Sequence, residues 1–255
     1  VFVSGAVAVI VLIDILPQSR LWGFWHFLFC RFALGREAGI TFFKVLGSGE
    51  NAGFGLRPSP SHQGLFCTFV DDAAATDFIA HSKVLSAYRQ HAREFFCVKL
   101  KAFSSRGSWA NQAPLTISAS LPSAALMMPV AVLTRASIRP LVAAKFWRRA
   151  PPAELSLQHA HGCLLAAGLG EAPLLRQATF TIWESVAAMD AYARTGAHLD
   201  AIRAAHAGNF FSESMFTRFI PYDALGVWKS QPAELMLSSQ AQSPTRPQKQ
   251  PDAEA

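Results

Sequence analysis

Eight histidines, His26, His62, His81, His91, His159, His161, His198 and His206, are the side chains of this sequence with the widest chemical reach. An imidazole ligates metals and moves protons near neutral pH. Their spacing excludes the usual zinc arrangements, because no HExxH or related pattern occurs. His159 and His161 stand two apart just ahead of an apolar run and read as a polar loop edge. His91 and His206 open two similar hexapeptides near the ends of expected helices, where a partly protonated imidazole complements the helix dipole. His198 has no histidine counterpart in the first half of the chain and shares an expected helical face with Ala201 and Ile202. It reads either as an ordinary core or helix-start histidine or as an axial ligand to a flat cofactor, since small neighbours let a macrocycle approach.

Other chemistries are excluded by pattern. Gly47-Ser48-Gly49 with Gly53 lacks the GxGxxG spacing and its acidic partner, so no dinucleotide site is expected. No GxSxG elbow and no glycine loop ending in a Walker lysine occurs. Cys30, Cys67, Cys97 and Cys163 form no CxxC and lie in apolar stretches, which points to buried free thiols and a reducing, cytoplasmic setting. The net charge of +6 is carried by a chain in which only 16% of residues are charged and no long Lys/Arg run appears, so nucleic acid is not an expected partner. Twenty Phe and six Trp supply a core and the walls of an apolar pocket.

The elements that must position these residues recur. Val7-Ala8-Val9-Ile10 returns as Val130-Ala131-Val132-Leu133, and at the same offset Gly39, Leu46 and Gly47 return as Gly162, Leu169 and Gly170. Asp77 corresponds to Asp190, and the hexapeptide from His91 to Phe96 matches that from His206 to Phe211. Landmarks in the same order imply a duplication. Periodicity predicts strands over 7–15, 40–46, 65–70 and 95–103 in the first copy, with helices over 21–33, 73–80 and 83–93. The second copy has strands over 130–138, 163–169, 177–183 and 214–220, with helices over 141–149 and 186–207. Each copy is βαββαβ, the split βαβ of a ferredoxin-like α+β module. Two such modules can bury their open sheet faces against each other, giving a single-chain pseudo-dimeric α/β barrel. The expected division is 1–103 for the first module, 104–128 for a Ser/Ala/Pro-rich linker, 129–230 for the second module and 231–255 for an unstructured polar tail. The apolar start, Val1 to Leu16, is interrupted by Asp14, is too short to span a bilayer and lacks the features of a signal peptide. It reads as a strand buried on both faces.

Several long runs also resemble one family. Gly170 to Trp183 (GEAPLLRQATFTIW), Met189, Ala191-Tyr192-Ala193, His198 and Phe210 to Phe219 (FFSESMFTRF) are similar to the spheroidene monooxygenase family. So are Arg20-Leu21-Trp22-Gly23, Phe43 to Gly49, Gly53 to Pro58 and Arg106 to Trp109, and the likeness runs from about Ala6 to Trp228. Ser214 departs from it, standing where a second acid after Glu213 is expected, which leaves Glu213 with hydrogen bonding alone. The resemblance implies the α/β barrel and a haem protein of purple phototrophic bacteria. Such a protein uses O2 and an external electron donor, a ferredoxin-type protein being one class, to install a keto group at C-2 of acyclic carotenoids such as spheroidene. It further implies a cytoplasmic protein held peripherally at the intracytoplasmic membrane, with basic charge near Lys145, Arg148 and Arg149 facing the anionic surface. The family pattern carries a histidine at His198, which makes it the expected axial and metal ligand, with Trp183, Phe210 and Phe211 as cofactor walls. Arg176 and Gln177 read either as a surface strand start or as hydrogen-bond donors to a haem propionate or bound oxygen, and are the expected catalytic pair. A haem- or carotenoid-binding protein without turnover and an aldoxime dehydratase-like haem lyase are the competing readings.

Overall fold

The computed structural model describes residues 7–53, 55, 57–115, 117, 128–148, 155–157, 159–172 and 174–238, without the side chains of 197, 198, 202 and 206. The first half runs β1 (Val7–Ile15), α1 (Arg20–Leu34), β2 (Ile40–Gly49), β3 (Pro58–Phe69), α2 (Asp72–His81), α3 (Lys83–His91) and β4 (Ala92–Gly107). The second runs β5 (Val130–Ile138), α4 (Ala143–Trp147), β6 (Cys163–Ala172), β7 (Arg176–Trp183), α5 (Val186–Ala193), α6 (Gly196–Ala207) and β8 (Phe211–Trp228), followed by β9 (Gln231–Pro232) and α7 (Ala233–Leu237). The strand order is β4-β1-β3-β2-β6-β7-β5-β8, and β8 pairs back onto β4. The two four-stranded sheets therefore close into one antiparallel barrel, which removes their free edges. The halves meet where Gly47 pairs with its repeat equivalent Gly170, and again along the whole of β4 and β8.

The apolar run of β1 is explained by its two burials. Ala8, Ile10 and Leu12 point into the barrel with Leu133, Phe180 and Phe219 of the other half, whereas Val7, Val9, Val11, Ile13 and Ile15 pack outward with Leu85 and Tyr88 of α3. The duplication extends to single hydrogen bonds. Gly39 (φ 77°) and Gly162 (φ 75°) both take the left-handed conformation glycine favours. Each carbonyl accepts from the residue after the third strand of its own copy, Val70 at 3.0 Å and Glu184 at 2.8 Å. Asp71 and Ser185 then cap the next helices by accepting from Ala74 and Ala188.

Three sequence expectations are corrected. First, His91 is not the equivalent of His206. Leu16 N–H donates to His91 O and Arg139 N–H to Phe210 O, and the pairs Ile15–Ala92 and Ile138–Phe211 make His91 the counterpart of Phe210. The similar hexapeptides are one helical turn out of register. Second, the stretch from 104 is not all linker: β4 continues to Gly107, and Trp109 is fully buried. Trp109-Ala110-Asn111-Gln112 and Trp228-Lys229-Ser230-Gln231 form matching turns, each with two central residues at positive φ. Third, the tail is ordered at its start, because α7 seats Ala233 and Met236 in the barrel core. Residues 239–255 lie outside the described residues.

Candidate cofactor cradle and cleft

The strand registers superimpose the two outer sheet faces residue on residue. In the first half this face carries Val11, Ile13, Phe43, Val45, Leu65 and Phe95. Val11, Ile13 and Leu65 are fully buried, and the other three pack against them beneath α1 and α3. Their counterparts in the second half are Thr134, Ala136, Ala166, Gly168, Thr179 and Ser214. Six large apolar side chains are thus replaced by small ones on a sheet of the same geometry. Of the positions equivalent to the 15 residues of α1, the described ones are helical over α4 and again at 155–157. β7 and β8 flank β5 and run parallel, so the α5–α6 crossover must pass over this emptied face. The result is a shallow cradle floored by small residues, and the crossover that joins its two flanking strands carries His198 on α6.

Its rim is built from identifiable groups. Trp183 closes one end, 2% exposed, packed on Tyr192 with ring centroids 5.1 Å apart and its indole N–H donating to Thr181 Oγ1 at 2.9 Å. Gln177 lies at the other end of the same face of β7, between Ala136 and Gly170. Phe211 packs edge-on to Phe146, which precedes Trp147 of α4. Arg218 occupies the place held by Lys99 in the first half. Lys99 is tied to Asp72 at 2.9 Å, Asp223 at 2.7 Å and Thr76 at 3.0 Å. Arg218 reaches Asp190 only at 3.5 Å, and its Nε is buried without a hydrogen-bond partner among the described residues. An orphaned guanidinium donor beside a face cleared of bulk fits an anionic group on a flat ligand.

The expected site residues are therefore distributed. Gln177 and Trp183 share the cradle face at opposite ends, Phe211 borders it, and Arg176 is exposed at its margin. Phe210 is buried where α6 gives way to β8. The His198 side chain lies outside the described residues, although its helix is in place. Arg218, Ala136, Gly168 and Thr179 were not singled out from the sequence. Aligning the two copies strand by strand, and asking where bulk is lost, would have found them.

Beside the cradle a cleft of about 370 Å³ opens between α1 and α4. Phe24, Phe27 and Leu28 form one wall and Trp147 and Leu174 the other, with Gly47, Gly170, Gln63 and Gln177 grouped about the pseudo-twofold axis. Glu171 also lines it, salt-bridged to Lys44 at 3.1 Å and accepting from the Trp109 indole at 2.6 Å. Burial alone would raise its carboxyl pKa, but Trp109, Lys44 and Arg135 outweigh burial and lower it. Arg135 is shared with Glu213, which also accepts from Ser108 Oγ and Asn111 N–H, so these acids hold the Trp109 turn against the barrel. His62, another lining residue, is pushed toward the neutral imidazole mainly by burial, with the Asp14 carboxylate opposing.

A protein named spheroidene monooxygenase from Rubrivivax gelatinosus is 53% identical over 226 residues, 89% of this chain and 86% of its own. The chain belongs to the spheroidene monooxygenase family. The Rhodobacter capsulatus protein of the same name is 33% identical over 83% of this chain and 88% of its own. No family-level sequence profile matches the chain. Among solved structures, an aldoxime dehydratase in complex with butyraldoxime superimposes with a TM-score of 0.58 at 9% identity, covering 86% of this chain and 80% of that one. A second aldoxime dehydratase gives 0.57 at 8%, over 86% and 82%. At that identity the likeness establishes the barrel and nothing of the chemistry. The described residues of this chain form a duplicated α/β barrel, as the resemblance implied.

Proposed function

We propose that this chain is a haem-dependent carotenoid oxygenase that installs a keto group at C-2 of an acyclic carotenoid such as spheroidene, using O2 and electrons from an external donor protein. The substrate comes from its relatives' name, and the emptied outer face of the second half carries the cofactor reading. Attack on an unactivated C–H bond requires one-electron O2 chemistry, which haem supplies when bound and side chains do not. The residues present fit such a group. The floor of Thr134, Ala136, Ala166, Gly168 and Thr179 admits a flat ring that the bulky first-half equivalents would exclude, and Arg218 offers its unpaired Nε to a propionate. His198 on α6 would hold the haem iron, as the family pattern implies. Gln177 would offer its amide N–H at the cleft end of the cradle, and Trp183 and Tyr192 would keep water from the far end. The apolar walls from Phe24 to Leu28 and at Trp147 receive the polyene.

Expression in a spheroidene-producing host, with pigment analysis and haem quantitation of the purified protein, tests this reading. The expected outcome is a 2-keto carotenoid and a Soret band in one protein. Haem without a new pigment would leave a binding protein, and turnover without an electron donor would indicate a lyase.

A further inference from the structure

The fold leaves one helix apolar on the side away from the barrel. Leu21, Phe24, Trp25, Phe29 and Phe32 of α1 recur at helical spacing, and each is between 52% and 72% exposed. Trp25 and Phe29 stack at 5.8 Å and Phe29 and Phe32 at 6.4 Å, so the rings form a continuous ridge. The opposite side of the helix is spent on the protein, where Gly23, Cys30 and Leu34 are buried. Across the cleft, Leu141 just before α4 is 98% exposed. The charges carried on and just beside α1 and α4 are basic, with Glu37 the first acid after α1. Residues 16–36 contain Arg20, Arg31 and Arg36, residues 139–148 contain Arg139, Lys145 and Arg148, and neither segment contains Asp or Glu. A helix with an aromatic ridge and a predominantly basic border is what an anionic bilayer surface binds, through apolar insertion and headgroup attraction together. No described helix is long and apolar enough to cross a membrane.

We propose that the α1–α4 face docks on an anionic lipid bilayer, laying the aromatic ridge in the headgroup boundary. The α1–α4 cleft then opens directly into the acyl region. Phe24 belongs both to the ridge and to the cleft wall, so docking makes the two continuous. A carotenoid can pass from lipid into the cleft without crossing water. That last step rests on the carotenoid reading above, whereas docking itself does not.

Carotenoid-free vesicles separate the two. The purified chain is expected to co-sediment with phosphatidylglycerol vesicles at low salt and far less with phosphatidylcholine vesicles. Trp25→Ser/Phe29→Ser/Phe32→Ser should reduce binding by roughly tenfold or more. Arg20→Gln and Arg31→Gln should each reduce it about fivefold. Lys83→Gln, on the exposed start of α3, should leave it unchanged. Because the replaced rings are more than half exposed, melting temperature should hold. Brominated lipid should quench tryptophan emission in the wild type, and Trp25→Phe should lose part of that quenching, the remainder coming from Trp147 in the cleft wall. Wild-type protein that ignores phosphatidylglycerol vesicles, or a triple variant that binds as tightly, would overturn the proposal. So would a wild-type dimer that the triple variant dissolves while neither binds vesicles, which would assign the ridge to a second copy. A chain that docks but makes no keto carotenoid would fail the oxygenase reading alone.

Discussion

Glu213 sits inside the barrel against Arg135 and the Trp109 turn. Burial would raise its pKa, but the Asn111 N–H, Ser108 and Arg135 together draw it from the ordinary 4.5 down to about 2. A carboxyl depressed in the fold stabilises it fully above the unfolded value, and that stability is lost as pH falls from about 4.5 toward 2. The shift corresponds to about 3 kcal/mol as an upper figure. Glu213→Gln should therefore lower the melting temperature at neutral pH, and its gap from wild type should narrow as melts are repeated below pH ~4.5. A gap constant with pH would show that Glu213 acts through packing. At His198 the expected outcome is spectroscopic: His198→Ala should lose haem or shift its Soret band, whereas His206→Ala keeps both. An unchanged spectrum in His198→Ala would pass the ligand role to His206. The repeat does not separate the two histidines, because His91 corresponds to Phe210; the family pattern does.

At the scale of elements, the second-half sheet and helices part company with the first where bulk was removed. Restoring it is a direct test. Ala136→Ile with Thr179→Leu rebuilds the first-half pattern of Ile13 and Leu65, and should abolish haem uptake while the haem-free protein melts no lower than wild type. A doubly substituted chain that still takes up haem would place the cofactor elsewhere. The turns that follow β4 and β8 depend on a different constraint. Gly107 (φ 84°) and Gly226 (φ 89°) begin them in a left-handed conformation, and a Cβ at Gly107 would lie 2.0 Å from Ser214 O. Gly107→Ala should cost at least about 2 kcal/mol in denaturant unfolding, from backbone strain and displaced backbone contacts together.

At the scale of the molecule, the two copies share one interior. Leu12 and Phe96 from the first half pack with Leu133, Phe180 and Phe219 from the second, all fully buried. The halves should therefore unfold together, with far- and near-ultraviolet circular dichroism giving one coincident transition. Leu133→Ala should lower that single midpoint by the equivalent of about 2–5 kcal/mol without splitting it. Two separated transitions would mean that each module is stable alone.

Much of this was legible in the order of residues. Alternation, apolar runs and the repeated Gly39/Gly162 and Gly47/Gly170 pairs determined two βαββαβ copies, because strand and helix periods, and the left-handed turn at Gly39 and Gly162, are local properties of the chain. The long similar runs around Arg176 and Phe216 carried the family. Local similarity failed where register mattered: the hexapeptides at His91 and His206 look alike, yet strand pairing sets them a helical turn apart. The Trp-x-x-Gln turns carry no local mark, one lying in the expected linker and the other across the boundary at 230 between the second module and the tail, since burial of Trp109 and Trp228 depends on strands far away in sequence. The cradle was likewise invisible residue by residue. Thr134, Ala136 and Thr179 are unremarkable in a strand, and only closure of the barrel puts them side by side on the face where the other copy places Val11, Ile13 and Leu65. Which side of α1 remained outside was also decided by tertiary packing, because a helix apolar all round carries no sequence mark of the side its own protein covers.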